Sequence, residues 1–404
     1  MKTNLVYILT FCLLILGGNG NAQSSYNQAI LDKLIEICKQ NKSAQLLVSV
    51  NDSLISNHTF YGKSDELYRV YSITKLFSGI AVAILLEKKL IKSPEDKIAD
   101  YFTDWQSDSI KNRITIRHIL QHNSGLYTTK GSKDIYDQSD FVEFALKSGI
   151  DAPPGHIYNY NNRAINLIAG LVKKLTGESL ESFIRENLFK PLGIQKYIWP
   201  SDESGNSWGM DGLRLSAVDL IKVGQLLANY GEWKGQKIFS KKWGEMAYQL
   251  PLMNFYYKVG GYGMGLKVLY VEGKFTIPLQ NIYLLKEKGL KNDLCDRLYR
   301  LSDSTFSDFT HFGNALRANF KPAEIEEINA FSSAQLIPIY KEPDNKIIVL
   351  HYGEIGQQLV VFPQKRIVMV RFIDEKWGRK TDKKGNYQYV MDQELLPYLV
   401  NLVK

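Results

Sequence analysis

Segments that read as strands lie near both ends of the chain, and most of what separates them reads as helix. Near the N-terminus, "AQLLVSVNDSLISNHTFYG" sets two strand-like runs on either side of an Asn51-Asp52 turn. Near the C-terminus, "KIIVLHYG" and "QQLVVFPQKRIVMVRFI" alternate or run apolar. Such an order predicts one sheet built from both chain ends, flanked by helices, with a mainly helical region inserted between: an α/β protein of the α+β type. Helices are expected at Asn27 to Gln40 and at the closing "DQELLPYLVNLV". The 404 residues, 45% of them hydrophobic, supply enough apolar surface for two domains. The division expected is 23–90 with 346–404 for the sheet domain, 91–260 for the helical domain, and 261–345 for a strand plus an insertion.

The N-terminal "MKTNLVYILTFCLLILGGNGNAQSS" has a basic Lys2, an apolar run from Leu5 to Leu16 and small polar residues ending at Ala22. That is the order of a secretory signal over residues 1–22, and it places the mature protein in the periplasm or outside the cell. No later segment is long and apolar enough to span a membrane. The formal charge of +8 is spread along the chain rather than gathered in an arm, and no nucleic-acid recognition motif accompanies it, so a nucleic-acid partner is not expected. Beyond the signal only Cys38 and Cys295 remain; the sequence leaves open whether they pair or are buried singly.

In "YRVYSITKLFSGIAVAILLEKKL", Ser72 stands three residues before Lys75 at the start of an amphipathic pattern, and no other serine in the chain has a lysine at that spacing. Serine is a common helix cap and lysine a common surface residue, so the spacing alone decides little. Its chemistry is nonetheless specific. A serine hydroxyl needs a base within hydrogen-bond reach to act as a nucleophile, and residue i+3 lies on the same helix face. Burial disfavours the charged form of a lysine, which suits it to accept that proton.

Further segments follow in order: "ITIRHILQHNSGLYT", "PPGHIYNYNNRAINLIAGLVKKLTGESLESFIRENLFKPLGI", "MDGLRLSAVDLIKVGQLLANYGEW" and "HYGEIGQQLVVFPQKRIVMV". Together with "YSITKLFSG" they resemble the serine β-lactamase and penicillin-recognising hydrolase family, over roughly residues 45–265 and 346–373. The class C β-lactamase, carboxylesterase and aminohexanoate-oligomer hydrolase branch is the most similar. The resemblance implies a β-lactamase-like fold with an antiparallel sheet, an acyl-enzyme formed on Ser72, Lys75 as its base, and no cofactor or metal. It implies that Tyr160 of Tyr160-Asn161-Asn162 shuttles protons, and that the Asn162 amide holds Lys75 and the substrate. Tyr158 is a neighbouring decoy, because its +2 residue is Tyr160 rather than Asn.

The third family motif is altered. The family carries Lys or His, a small residue and Gly on the strand lining the pocket, and this chain offers His351-Tyr352-Gly353 followed by Glu354 and Gly356. The resemblance assigns the N–H groups of Ser72 and Glu354 to an oxyanion hole, with Gly353 letting substrate lie against the strand. His351 in place of lysine, bulky Tyr352 and acidic Glu354 all weaken recognition of the carboxylate that β-lactams and peptidoglycan stems carry. A small ester, a peptide or a cell-wall fragment is therefore expected ahead of a β-lactam. The rival reading is a non-catalytic or slowly deacylating sensor on the same fold.

Other patterns read as structural. His118 and His122 stand four apart as zinc ligands can, yet Ile119 breaks the metalloprotease pattern. "KKLTG" ends a helix at Gly177, "GGYGMG" at Gly260 to Gly265 is a glycine-bearing strand, and Lys376 to Lys384 a hairpin loop. Between Gly265 and His351 lie more residues than the family needs, and "NIYLLKEKGLKNDLCDRLYRL" is helical in pattern. That insertion is either a lid over the pocket or a packing or oligomer surface.

Overall fold

In a computed structural model the described residues are 26–403, except 130, 249–252, 255–259, 273–274, 278, 288, 303, 307–308, 333–338, 341–345 and 379–391. Residues 1–22, read from the sequence as a secretory signal, and most of the basic stretch Lys376 to Lys384 lie outside them. Eight strands form one antiparallel sheet: β1 Ser43–Val50, β2 Ser53–Thr59, β3 Met253–Asn254, β4 Gly260–Tyr262, β5 Lys267–Glu272, β6 Lys346–Gly353, β7 Gln357–Phe362 and β8 Ile367–Ile373. Their order is β2-β1-β8-β7-β6-β5-β4-β3, so strands from the two ends of the chain meet at the β1/β8 pairing, where Leu47 faces Val370. Asn51 and Asp52 both take positive φ, 48° and 64°, as a two-residue hairpin turn requires.

The apolar runs of β7 and β8 follow from burial on both faces. Alternate side chains point to opposite sides of a strand. Val361, Val368 and Val370 face the main helical core, while Val360, Phe362, Ile367 and Met369 face a second core. That second core is closed by Leu31 and Leu34 of α1 (Gln28–Gln40) and by Leu395, Leu399 and Leu402 of the closing helix Asp392–Leu402. Helix α2 (Thr74–Glu87) is buried from Thr74 through Leu85, so the amphipathic pattern read there does not hold: the helix is apolar all round and set within the core. It touches the turn between β4 and β5 so closely that a Cβ on Gly79 would lie 2.6 Å from the Met264 carbonyl. Only glycine permits that approach, and it fixes the N-terminal half of α2 relative to the sheet.

The insertion between β5 and β6 builds its own apolar core from four helices, Leu279–Glu287, Asn292–Ser302, Phe309–Asn319 and Pro322–Ser332. A short ribbon pairing Phe275 with Tyr340 and Thr276 with Ile339 forms its neck. The neck leaves the sheet where Lys346 opposes Glu272, at the opposite end of β6 from Gly353. At about 3.3 Å per residue those ends are roughly 23 Å apart, so the expected lid would have to reach back along the whole strand. Cys38 and Cys295 are both buried and free, in different cores, and do not pair. Gly177 takes the left-handed C-cap position, φ 76°, that ends the helix Leu167–Thr176.

Candidate active site

Ser72 occupies a 3-10 turn, Tyr71–Ile73, that runs directly into α2. The residue before it, Tyr71, is buried with φ 50°, a left-handed conformation that a bulky side chain adopts only when its surroundings impose it. Two contacts impose it here. The Val70 N–H donates to the Leu213 carbonyl at 2.8 Å, and the Thr74 hydroxyl donates to the Tyr71 carbonyl at 2.7 Å. Ser72 thereby sits at the N-terminal end of a buried helix, where backbone N–H groups and the helix dipole favour developing negative charge.

Lys75 is 1% exposed, and its Nζ lies 3.0 Å from Ser72 Oγ. The same nitrogen donates to the Met210 carbonyl at 2.7 Å. The residue before Met210 is tied down twice, with Ser78 Oγ donating to the Gly209 carbonyl at 3.0 Å and the Gly209 N–H donating to Asn166 Oδ1 at 2.9 Å. The Tyr160 ring stands over the lysine, its centroid 4.9 Å from Nζ. In its neutral form Lys75 can accept the Ser72 proton across the 3.0 Å contact, and the lone pair is already aimed by the Met210 carbonyl on the other side.

Asn162 is placed differently from the expectation. Its Nδ2 donates to Ser132 Oγ at 2.7 Å, and its buried Oδ1 completes no hydrogen bond among the described residues. The task of holding Lys75 falls to the Met210 carbonyl, because Ser132 takes up the amide. Asn161 shapes the turn instead: Oδ1 accepts from the N–H groups of Arg163 and Ala164, each at 2.9 Å, and Nδ2 donates to the Leu126 carbonyl at 2.8 Å.

The strand end of the motif closes on the serine turn. A Cβ on Gly353 would lie 2.3 Å from the Val70 carbonyl and 3.1 Å from Tyr71 Cβ, so no other residue fits there without displacing the turn that carries Ser72. Buried Gln357 ties the same elements together, its Nε2 donating to the carbonyls of Arg69 at 3.2 Å and Ile373 at 3.0 Å. His351 is 1% exposed, and neither ring nitrogen completes a hydrogen bond among the described residues, although the Gly265 backbone lies beside the ring. Burial first, and then the charges of Lys75 and Lys267, hold its proton affinity well below the ordinary imidazole range. Glu354 is exposed at the mouth and Tyr352 half-buried. The nearby Arg69 guanidinium is engaged by Asp211 at 2.5 Å, and Asp211 also accepts from the Tyr136 hydroxyl at 2.6 Å.

Two side chains at the site carried no functional signal in the sequence. His122, read there as structural with His118, packs its ring 4.5 Å from Tyr160. Tyr262, part of the glycine-bearing strand, stands edge-on to both His122 and His351, at 4.6 and 6.0 Å. His118 does have the structural role expected, since its Nδ1 accepts from the Thr115 N–H in a capping box. Among the described residues no group of three or more His, Cys, Asp and Glu is arranged to hold a metal ion.

With this geometry in place, comparison with known proteins is direct. Penicillin-binding protein 4* of Bacillus subtilis is 30% identical over 143 residues, 33% of this chain and 31% of that protein. A putative penicillin-binding protein of the same organism, PbpX, is 23% identical over 269 residues, 58% of this chain and 66% of that protein. The matched part thus spans 31% to 66% of these relatives' length. Among solved structures, a putative 6-aminohexanoate-dimer hydrolase from Bacillus anthracis superposes with a TM-score of 0.60 at 17% identity, over 91% of this chain and 80% of that one. That likeness shows the same fold. The sequence model described as Beta-lactamase matches residues 31–268, more than half of the chain, and the protein belongs to the β-lactamase family.

Proposed function

We propose that this β-lactamase-family protein is an exported serine hydrolase that cleaves an ester or amide through an acyl-enzyme on Ser72. The observation that carries this reading is the buried Lys75 Nζ, 3.0 Å from Ser72 Oγ and anchored by the Met210 carbonyl. Lys75 takes the hydroxyl proton as Oγ attacks the carbonyl carbon. The backbone N–H groups of Ser72 and Glu354 stabilise the oxyanion, Tyr160 passes the proton to the leaving group, and water then releases the acyl group. Proton transfer by a positioned base contributes about 10²–10⁴-fold of such a rate.

The substrate we favour is a small ester, a peptide or a cell-wall fragment that is not held by a carboxylate. His351 stands where a cationic residue would grip one, but its surroundings keep it neutral near pH 7, and Arg69 is engaged by Asp211. Export rests on the N-terminal signal pattern, residues 1–22. The test is intact mass after exposure of the signal-free protein to a fluorophosphonate. One adduct per chain that disappears in Ser72→Ala and in Lys75→Ala supports the reading. No adduct, or one that survives Ser72→Ala, removes it in favour of a non-catalytic binding protein.

A further inference from the structure

His122 lies in the segment "ITIRHILQHNSGLYT" but has no role assigned above, and the structure sets it against the backbone on both sides of Tyr160. Its carbonyl accepts from the Asn159 N–H at 2.7 Å, and its ring Nδ1 accepts from the Asn161 N–H at 3.1 Å. Between those anchors the imidazole packs on the Tyr160 ring at 4.5 Å with a 41° tilt, and Tyr262 meets the imidazole edge-on at 4.6 Å while standing 5.8 Å from Tyr160. His122 is 1% exposed and takes φ 55°, a left-handed conformation that His, like Asn and Asp, adopts more readily than most residues. The next residue continues the grip, the Asn123 carbonyl accepting from the Gly155 N–H at 2.8 Å. Because Nδ1 accepts, the neutral ring carries its proton on Nε2, and burial together with the nearby Lys75 charge disfavours a second proton.

We infer that His122 is a positioning residue for Tyr160, holding the N–H groups on either side of the tyrosine and bracing its ring so that the phenol stays over Lys75. The inference rests on the Ser72 reading proposed above. A histidine that only filled space would be replaceable by any ring of similar size. A histidine that holds Tyr160 through Nδ1 is replaced best by a residue that supplies an acceptor at the same place and tolerates a positive φ. Asparagine does both, since its Oδ1 falls near the position of Nδ1. Phenylalanine keeps the ring but leaves the Asn161 N–H buried and unpaired.

The experiment uses the full mature chain with p-nitrophenyl acetate as substrate, and active sites counted by fluorophosphonate titration so that misfolded protein is excluded. His122→Phe and His122→Ala are expected to lower kcat per active site about 10- to 100-fold with KM little changed, the scale of loss when a reacting group is misplaced. His122→Asn is expected to stay within about fivefold of the parent, because it keeps the acceptor. In a Tyr160→Phe background, which has no phenol to hold, adding His122→Ala is expected to cost less than about threefold more. The inference is overturned if His122→Asn is as slow as His122→Phe, or if His122→Ala keeps its full effect without the Tyr160 hydroxyl. Should His122→Ala fail to fold, the Asn and Phe variants still decide. If Ser72→Ala retains turnover, the serine mechanism itself falls, an outcome distinct from a failure at His122.

Discussion

On the helix side of Ser72, the polar atoms that handle the proton have partners within the chain. Lys75 Nζ meets both Ser72 Oγ and the Met210 carbonyl, and His122 Nδ1 takes the Asn161 N–H. On the strand side, neither nitrogen of buried His351 completes a hydrogen bond among the described residues, and Glu354 is exposed. Asn162 Oδ1 and His122 Nε2 on the helix side also complete no hydrogen bond among the described residues, but the atoms that pass the proton are held before substrate arrives, and they serve any acyl group. The strand side is where the family motif is altered, at His351, Tyr352 and Glu354, so substrate identity is read there. Changes on the helix side should therefore reduce turnover of every substrate alike, whereas changes on the strand side should alter the ratio between substrates.

The largest effect is expected from Lys75→Met, which removes the base while leaving Ser72 in place. Turnover of p-nitrophenyl acetate and of a D-alanyl-D-alanine peptide should fall by the same factor, about a thousandfold, when initial rates are compared. Unequal losses would break the distinction between the walls. Next is Gly353→Val, whose added atoms meet the Val70 carbonyl and push the Ser72 turn out of line. A loss of about a hundredfold in kcat is expected, with thermal melting used to separate it from unfolding.

A smaller and more selective change is expected from His351→Lys. It should raise kcat/KM for carboxylate-bearing substrates relative to neutral esters by about tenfold, read as a ratio from paired kinetics. The smallest effect is on stability. His122 and His351 both have proton affinities lowered by burial, so the unfolded chain takes up protons that the folded chain refuses. Their contribution is complete above the ordinary imidazole range near pH 6.5 and is lost as the pH falls below it, by up to about 1.4 kcal/mol per pH unit for each histidine. Urea denaturation at pH 7.5 and 5.5 measures this slope, and His351→Gln should flatten it.

Much of the site was legible because its parts are side chains at fixed spacing. The Ser72–Lys75 interval, the Asn51-Asp52 turn and the Gly177 helix stop each depend on residue type, and each lies where its type implies. What could not be read depends on backbone atoms or on contacts between distant segments. The Met210 carbonyl leaves no mark on sequence, since every residue has one. Asn162 was expected on Lys75, but its partner is Ser132, thirty residues upstream in another loop. His122 showed a four-residue interval to His118, yet its role lies with a tyrosine that only folding brings against it. The insertion read correctly as helical, whereas its root at the far end of β6 follows from strand direction, which the local pattern does not carry.

The central claim is that Ser72 forms a covalent acyl-enzyme with Lys75 as its base. Its most direct test is the intact mass of the protein, sampled by rapid quench during turnover of p-nitrophenyl acetate, followed by peptide mapping. The account predicts an added acetyl group on the peptide bearing Ser72, formed in a burst, decaying as substrate is exhausted, and missing in Lys75→Met. Turnover with no adduct at Ser72, or with the acetyl group on another residue, would contradict it.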